Sequence, residues 1–299
     1  MFTQAPKVFY IPKDVDYIIV ADMFAEDYTG GAELTLEAIL SKCPGKVFKI
    51  HSSSVTPKLI EQNKDKHWVL GNFASMSHES LIELVVDNVK FSIIECDYKY
   101  CRHRSSHLHF LQEKVPCDCH KQKVGQFIRG LFQRAQHVFF MSAAQMQVYV
   151  DLFPQHPPTN FHVQTSTFKD ETLDKLAEFH KTRNNTTNTW AIMGGGSWIK
   201  AEQQTISWCQ SQGLEYEVFG GMPHDEFLKK LSTYKGLVFR PEGLDTCPRL
   251  VIESKLMGLE CKLNENVQHK DEEWYAGSVE QANEYLRTRG DIFWKTLAK

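Results

Sequence analysis

The sequence predicts an α/β protein built from two facing Rossmann-like domains with a cleft between them. Short apolar stretches without strict alternation, such as Tyr17 to Ala21 and Gly236 to Phe239, are typical of strands buried on both faces of a parallel sheet. Helical stretches alternate with these strands, as parallel sheets require. This alternation is interrupted by a polar, proline-broken segment at residues 154–188 and restarts at Thr189, which indicates a second domain.

Composition narrows the class of protein. A chain of 299 residues with 42% apolar and 24% charged residues is ordinary for a globular protein of one large or two medium domains. The sequence has no apolar run long enough to span a membrane and no basic-then-apolar secretory signal, so we expect a cytoplasmic location. The net charge of −3 gives no overall attraction to nucleic acid or anionic lipid.

The first predicted strand, Tyr17 to Ala21, leads through a polar loop to Gly30 and Gly31, which open a helix that reaches Leu40. Glycines at the start of a helix let the backbone approach a phosphate closely, although a plain tight turn would also explain them. The remaining elements of the N-terminal half are strands at 46–50, 68–70, 91–95, 137–141 and 161–164, and helices at 78–86 and 143–152.

The C-terminal half repeats this organisation. Predicted strands at 189–193 and 216–219 are each followed by a glycine loop, the first leading to Lys200 and the second to a helix at 225–231. The strand at 236–239 leads into the most informative stretch of the chain, where a turn precedes a helix that begins near Leu250.

Two acids mark that stretch. Asp245 lies in the loop, and Glu253 lies about two turns into the helix, from which it can reach neutral hydroxyls such as those of a ribose. Residues 246–248 lie where the helix starts, and free backbone N–H groups with the positive end of the helix dipole favour a phosphate there. An ordinary strand, loop and helix with two surface acids is the alternative.

Pro241, Asp245, Glu253 and Gly258 closely resemble the donor-site signature of retaining glycosyltransferases of the GT-B group 1 family. That family usually has Glu at the first acid, where this chain has the shorter Asp245. The resemblance implies a GT-B fold and sugar transfer from a nucleotide sugar, UDP ahead of GDP, with retention of configuration. It also implies that no divalent metal is required for catalysis, because protein cations take its place.

The resemblance further assigns roles to individual residues. Glu253 is expected to bind the ribose, and Asp245 to position the sugar as a catalytic residue. Lys200, also catalytic, is expected to contact the diphosphate. The other expected donor-binding residues are Gly30, Gly31, Gly195, Gly196, Thr246, Cys247, Pro248 and Arg249. Arg249 is favoured over Arg240 to replace an arginine that the family often carries shortly before the lysine.

The resemblance also suggests a division of the chain. Residues 1–168 would form the acceptor-side domain and 169–280 the donor domain. The final helical pattern, 278–298, would cross back, so that 281–299 join the first domain.

Four of the eight cysteines, Cys96, Cys101, Cys117 and Cys119, fall within 24 residues. In a cytoplasmic protein, thiols with histidines nearby suit a structural zinc site, and four cysteines would also hold an iron–sulfur cluster. Reduced buried thiols in a solvated loop remain the alternative, because the spacing is not that of a standard zinc finger.

The same segment, 96–129, is rich in Lys, Arg and His. If it faces the acceptor side of the cleft, it favours a negatively charged acceptor such as a nucleic acid, a phosphorylated lipid or an acidic glycan. We expect His107, ahead of His103 and His109, to orient the acceptor hydroxyl.

Two other functions remain open at this stage. The chain could be a binding module that holds a nucleotide or nucleic acid on the same fold without catalysis. It could also be a nucleotide-sugar epimerase, which would need no acceptor.

Overall fold

A computed structural model describes residues 10–154, 159–183, 187–195 and 201–299. Its strands are β1 (Tyr17–Ala21), β2 (Val47–His51), β3 (His67–Leu70), β4 (Phe91–Glu95), β5 (His137–Phe140), β6 (Phe161–Val163), β7 (Trp190–Met193), β8 (Tyr216–Phe219), β9 (Gly236–Phe239) and β10 (Glu260–Leu263). Its helices are α1 (Gly31–Leu40), α2 (Pro57–Gln62), α3 (His78–Val86), α4 (Ser106–Glu113), α5 (Lys123–Arg134), α6 (Ala143–Leu152), α7 (Asp170–Thr182), α8 (Glu202–Ser211), α9 (His224–Leu231), α10 (Arg249–Leu256), α11 (Glu273–Ala276), α12 (Val279–Arg287) and α13 (Arg289–Leu297).

The strands form two parallel sheets. Six strands lie in the order β2-β1-β3-β4-β5-β6, and four lie in the order β8-β7-β9-β10. In the larger sheet β1 lies between β2 and β3, and in the smaller sheet β7 lies between β8 and β9. The direction in which strands are added therefore reverses beside β1 and beside β7. Open parallel sheets bind ligands at such a reversal, beyond the carboxyl ends of the strands. The predicted α/β class with two Rossmann-like sheets is confirmed.

Both faces of the first sheet are buried, as its apolar strands predict. Successive residues of β1 alternate between two cores: Ile18 and Val20 pack into one, and Ile19 and Ala21 into the other. The second of these cores continues without a break into the smaller sheet, where it includes Phe239 of β9. The two sheets therefore share hydrophobic packing.

The C-terminal helix packs against the first sheet. Trp294 donates its indole N–H to the carbonyl of Ile39 at 2.7 Å, and the Phe293 ring lies 4.4 Å from that of Phe139, centroid to centroid. The single helical pattern predicted for 278–298 is two helices, α12 and α13, which meet at Thr288.

The structure corrects the sequence analysis in the segment expected to be polar and broken. It contains the 13-residue helix α7, whose Leu173 and Leu176 are fully buried. Helices α2, α4, α5 and strand β10 were also not predicted. Within the described ranges, none of the helices combines the length and the apolar character that crossing a membrane demands.

Replacing Phe293, which is fully buried, with Ala should lower the free energy of unfolding by about 3–5 kcal/mol, because it leaves a cavity beside Phe139. Ile292→Ala on the same helix, at a side chain 38% exposed, should change it by less than about 1 kcal/mol. Urea unfolding of both variants measures the difference. Equal losses would contradict the packing of α13 against the first sheet.

Candidate functional site

A cavity of about 410 Å³ lies between the two sheets, at the carboxyl ends of their strands. One wall is the loop after β1 and the start of α1, from Tyr28 to Thr35. The facing wall is the loop between β9 and α10, from Asp245 to Leu250, together with Glu253. The volume falls in the range of small-molecule and cofactor pockets, and the position agrees with the winding reversal in both sheets.

Three helices begin at this cavity. Gly30, Pro223 and Pro248 precede α1, α9 and α10, and all three residues line it. None of these three residues caps its helix with a side-chain hydrogen bond, whereas Ser77 and Ser142 cap α3 and α6. Three helix N-termini without an N-cap side chain bring the positive ends of three helix dipoles to this cavity, which favours an anion there.

The starts of α1 and α10 meet across the cavity. A side chain at Gly31 would place its Cβ 3.8 Å from the Cβ of Arg249, so the two backbones lie close together. At Gly30 a Cβ would lie 2.6 Å from the ring of Tyr28, which a real side chain does not tolerate. Gly30 is therefore required by the close packing of Tyr28 at the start of α1, and the approach of a phosphate to the glycine pair stays a prediction.

Glu253 is almost completely buried in the cavity wall. Its Oε1 lies 2.9 Å from Nε2 of His224 and 3.4 Å from Nε of Arg249. His224 begins α9 and was not identified from the sequence, which gave no indication that this helix start faces α10. The nearest signal in the sequence was the glycine pair Gly220 and Gly221, which follows a predicted strand and precedes this helix.

Arg249 is buried in the same wall. Its guanidinium stacks 3.7 Å from the ring centroid of Phe168 and donates to the carbonyl of Thr167. Burial lowers its pKa to about 10, which the Glu253 carboxylate opposes, so the side chain stays charged at neutral pH. The contacts with Phe168, Thr167 and Glu253 give Arg249 a structural role in the cavity wall. Its role as a cation for the donor diphosphate stays a prediction.

The acid loop is held from both sides. Asp245 donates its N–H to the carbonyl of Asn266 at 2.8 Å and accepts from the N–H of Gln268 at 3.1 Å. The two residues that follow it bond to the N-terminal sheet: Thr246 donates its hydroxyl to the carbonyl of Cys96 at 2.9 Å, and the carbonyl of Cys247 accepts from Ser166 at 2.8 Å. These bonds fix the loop between the two domains.

A second cavity of about 280 Å³ adjoins the first, and Cys96, Asp245 and Thr246 line both. Its other walls include His103 and Arg104. The backbone therefore places Asp245 at the junction of two neighbouring chambers. Neighbouring chambers of this kind could hold two molecules next to each other, which favours a reaction between them.

The basic residues around the second cavity are largely paired with acids. Arg104 contacts Asp97 at 2.6 Å, and the buried Lys99 contacts Glu95 at 2.8 Å. Although burial favours the neutral acid, Lys99 and Arg104 together hold the pKa of Asp97 below its usual value. The cavity thus carries balanced charge rather than the simple positive patch that the composition of this segment indicated.

His107 does not lie at either chamber. It lines a separate groove together with Glu242 and Cys117, and its Nε2 is 3.5 Å from Oε2 of Glu242. The histidine beside the second cavity is His103, which was the weaker expectation, and its Nε2 bonds to Glu113 at 2.9 Å. The assignment of His107 to the acceptor hydroxyl is therefore not supported by its position.

The glycine loop after β7 is only partly described. Gly195 has a φ of +144° and donates its N–H to Glu202 at 3.2 Å, but it does not line the cavity. Gly196 and Lys200 lie outside the described residues.

Three of the four cysteines expected to bind metal come together, and the fourth does not. Sulfur atoms of Cys101, Cys117 and Cys119 form a group with a ring nitrogen of His109 in which all four atoms lie within 4.8 Å of one another. Cys96 lies instead between the two cavities, where burial raises its pKa to about 12. His109 takes the place that the sequence analysis gave to Cys96.

Comparison with known proteins rests on structure. No protein-family model matches the chain, and no curated protein matches its sequence. A structure of the Anabaena protein HepE in complex with UDP and glucose superimposes with a TM-score of 0.54 at 12% identity, over 95% of this chain and 99% of that chain. An alpha-glucosyltransferase in complex with UDP and a 13-mer DNA containing an HMU base gives a TM-score of 0.53 at 9% identity, over 96% and 100%.

The chain has the GT-B fold. At these identities the likeness establishes the fold, and the function is argued below from the site itself. The resemblance on which the sequence analysis relied is confirmed at the level of the fold.

His269 anchors the segment that supports Asp245. It is fully buried, its ring stacks on Trp274 with centroids 5.7 Å apart, and neither ring nitrogen has a hydrogen-bond partner among the described residues. Burial lowers its pKa to about 3. The folded protein therefore disfavours protonation of His269, whereas the unfolded chain takes up the proton below about pH 6.5. The free energy of unfolding is thus fully retained above pH 6.5 and decreases as the pH falls towards 3.

His269→Phe should therefore flatten the acid side of the stability profile. Between about pH 6 and pH 4, wild type should lose up to about 1.4 kcal/mol per pH unit more than the variant, because the unfolded chain binds the extra proton. Urea unfolding across this range measures it. Parallel profiles for wild type and His269→Phe would contradict a buried neutral His269.

Proposed function

We propose that this protein is a retaining glycosyltransferase that takes a sugar from a nucleotide-sugar donor, with UDP ahead of GDP as the nucleotide. One observation carries the proposal: three helix starts that lack an N-cap side-chain hydrogen bond and the buried Glu253 line one cavity between two Rossmann-like sheets. That arrangement offers an anion site beside a hydroxyl-binding carboxylate, which are the two polar features of a nucleoside diphosphate.

The diphosphate would lie where α1 and α10 meet, near Gly31 and Pro248. Gly31 and Pro248 both line the cavity, and Gly31 has no Cβ to stand between the backbone and a phosphate oxygen. The ribose would lie against Glu253. His224 and Arg249 both contact Oε1 of that carboxylate, so they orient it while Oε2 takes part in neither contact.

The transferred sugar would then extend from the diphosphate towards Asp245 and the junction with the second cavity. As the bond from the anomeric carbon to the diphosphate breaks, negative charge grows on the leaving oxygen. Preorganised helix N-termini stabilise such charge without reorganisation, and Lys200 would add a cation, as the sequence resemblance implies. No divalent metal is needed in this scheme.

The acceptor would enter the second cavity. Both similar structures contain UDP, and one also contains DNA, which makes a nucleic acid the first class of negatively charged acceptor to test. Paired residues such as Arg104 and Asp97 give this cavity hydrogen-bonding groups of both signs. Exposed cations on the same segment, Lys114, Lys121 and Lys123, would contribute to phosphate contacts outside it.

We also propose the domain division drawn from the sequence: residues 1–168 with 281–299 on the acceptor side, and 169–280 on the donor side. The packing of Phe293 and Trp294 against the first sheet supports the return of the last helix.

A thermal-shift panel of UDP, GDP, CDP, ADP and their sugars tests the donor site. A nucleotide that binds only the folded protein should raise Tm with concentration, and UDP should give the largest rise. Glu253→Ala should weaken that nucleotide about 10-fold to 100-fold, because it removes charge-assisted hydrogen bonds to the ribose. Each shift is measured from the Tm of the same variant without ligand.

Glu265→Ala, at an exposed acid outside the cavity, is the matched control and should bind as wild type does. No shift with any nucleotide would overturn the donor-site proposal. A shift that survives in Glu253→Ala would overturn the role of Glu253 alone.

Asp245→Asn tests catalysis separately from binding. With the donor from the panel, kcat for release of the nucleotide should fall about 100-fold, while donor Kd should change less than tenfold, because the carboxylate acts at the reacting sugar. Asp245→Glu, which restores the acid usual in the family, should retain most of the rate. Proton NMR of the product reports whether the anomeric configuration is retained.

Binding of a nucleotide without any turnover or donor hydrolysis in wild type would favour a non-catalytic binding module. Conversion of the free nucleotide sugar into its epimer would favour an epimerase. Equal kcat for wild type and Asp245→Asn would remove Asp245 from the mechanism.

A further inference from the structure

A group of three thiols and one imidazole lies outside the proposed donor site. Cys101 is in the turn after β4, His109 is on the inner face of α4, and Cys117 and Cys119 precede α5. Cys101, His109 and Cys119 are buried, and Cys117 is partly buried. Segments that are separate in the sequence therefore bring four metal-binding side chains to one point.

The distances within the group match those of a single tetrahedral ion. Nδ1 of His109 lies 3.5 Å from Sγ of Cys119 and 3.8 Å from Sγ of Cys101. In a tetrahedron with zinc bonds of about 2.3 Å to sulfur and 2.0 Å to nitrogen, the sulfur and nitrogen atoms are about 3.6 Å apart. Two sulfur atoms in such a site are about 3.8 Å apart, within the 4.8 Å limit that holds for every pair here.

Backbone packing and helix capping hold the segments that carry these four side chains close together. Gly125 of α5 lies so close to the carbonyl of Cys119 that a Cβ there would come within 2.3 Å of the oxygen. Ser105 caps α4 by accepting the N–H of Leu108 at 3.2 Å, which fixes the turn of helix that carries His109. Arg102 directly follows the ligand Cys101 in the chain, and its positive charge would balance part of the surplus negative charge of three thiolates around a divalent ion.

We propose that Cys101, His109, Cys117 and Cys119 bind one structural zinc ion. Three thiolates and one imidazole are a donor set that zinc takes in closed, four-coordinate sites. A ligand pair separated by the single residue Asp118 fits because Cys119 starts a short 3₁₀ helix that turns its side chain towards the same point as Cys117.

The ion would fix the wall of the second cavity. It would tie the turn at Cys101 to α4 and to the start of α5, and the stretch between the ligands supplies His103, Arg104, Ser105 and Leu108 to that cavity. Because a site of this kind forms only in the folded chain, binding of zinc contributes directly to folding stability. This inference does not rest on the proposed function, since metal content is measured without any substrate.

The test is elemental analysis of protein purified in reductant without chelator. Wild type should contain about one zinc per chain, and Cys119→Ala and His109→Ala should lose most of it. His109→Cys should keep it, because four thiolates bind zinc equally well. Cys96→Ala should also keep it, which separates this ligand set from one that includes Cys96. Cys43→Ala is the control for loss of a distant, partly buried thiol.

Two measurements on the wild-type protein test the proposal even if the variants do not fold. Exchange of the ion for Co(II) should give the intense visible absorption of a tetrahedral thiolate site, and a strong chelator should remove it and lower Tm. Protein that contains no zinc after reduction and zinc addition, iron in its place, or a disulfide among these cysteines would overturn the proposal.

Discussion

The need to bury both faces of parallel strands governs this structure. Helices must cover both sides of each sheet, so each connection between two successive strands contains a helix. That connection leaves the first strand at its carboxyl end. Where the winding reverses beside β1 and β7, those connections diverge and leave room. The residues before α1, α9 and α10 are a glycine and two prolines rather than serines, so none of them caps its helix with a side chain. The cavity is thus a consequence of the topology before any side chain acts.

Charged groups near the cavity are arranged in buried pairs. Glu253 with His224 and Arg249, and Asp97 with Arg104, are each partly or wholly removed from water. Removing one member of such a pair leaves an uncompensated charge, which costs far more than an exposed pair contributes. These pairs therefore fix side-chain positions at the site, and the walls of both cavities are organised before a ligand arrives.

Local patterns in the sequence predicted the strands other than β10, the glycine pair and the acid loop, because each depends on residues adjacent in the chain. The partners that complete the site depend on contacts between loops. His224 meets Glu253 across 29 positions, and no spacing rule connects them. Likewise, Cys96 was grouped with the other cysteines by proximity in sequence, whereas the turn at Cys101 separates it from them and α4 supplies His109 instead. Helix α7 was missed because flanking prolines and polar residues masked its two buried leucines.

The hydrogen bonds from Thr246 and Ser166 and the shared core join the two domains across the cavity floor. Wide hinge opening would break these bonds and expose apolar surface, so the floor acts as a fixed pivot. A ligand must then pass through the mouth, where the 60%-exposed Tyr28 stands at the rim. The loop that carries Tyr28 therefore borders the route by which a molecule enters and leaves the cavity.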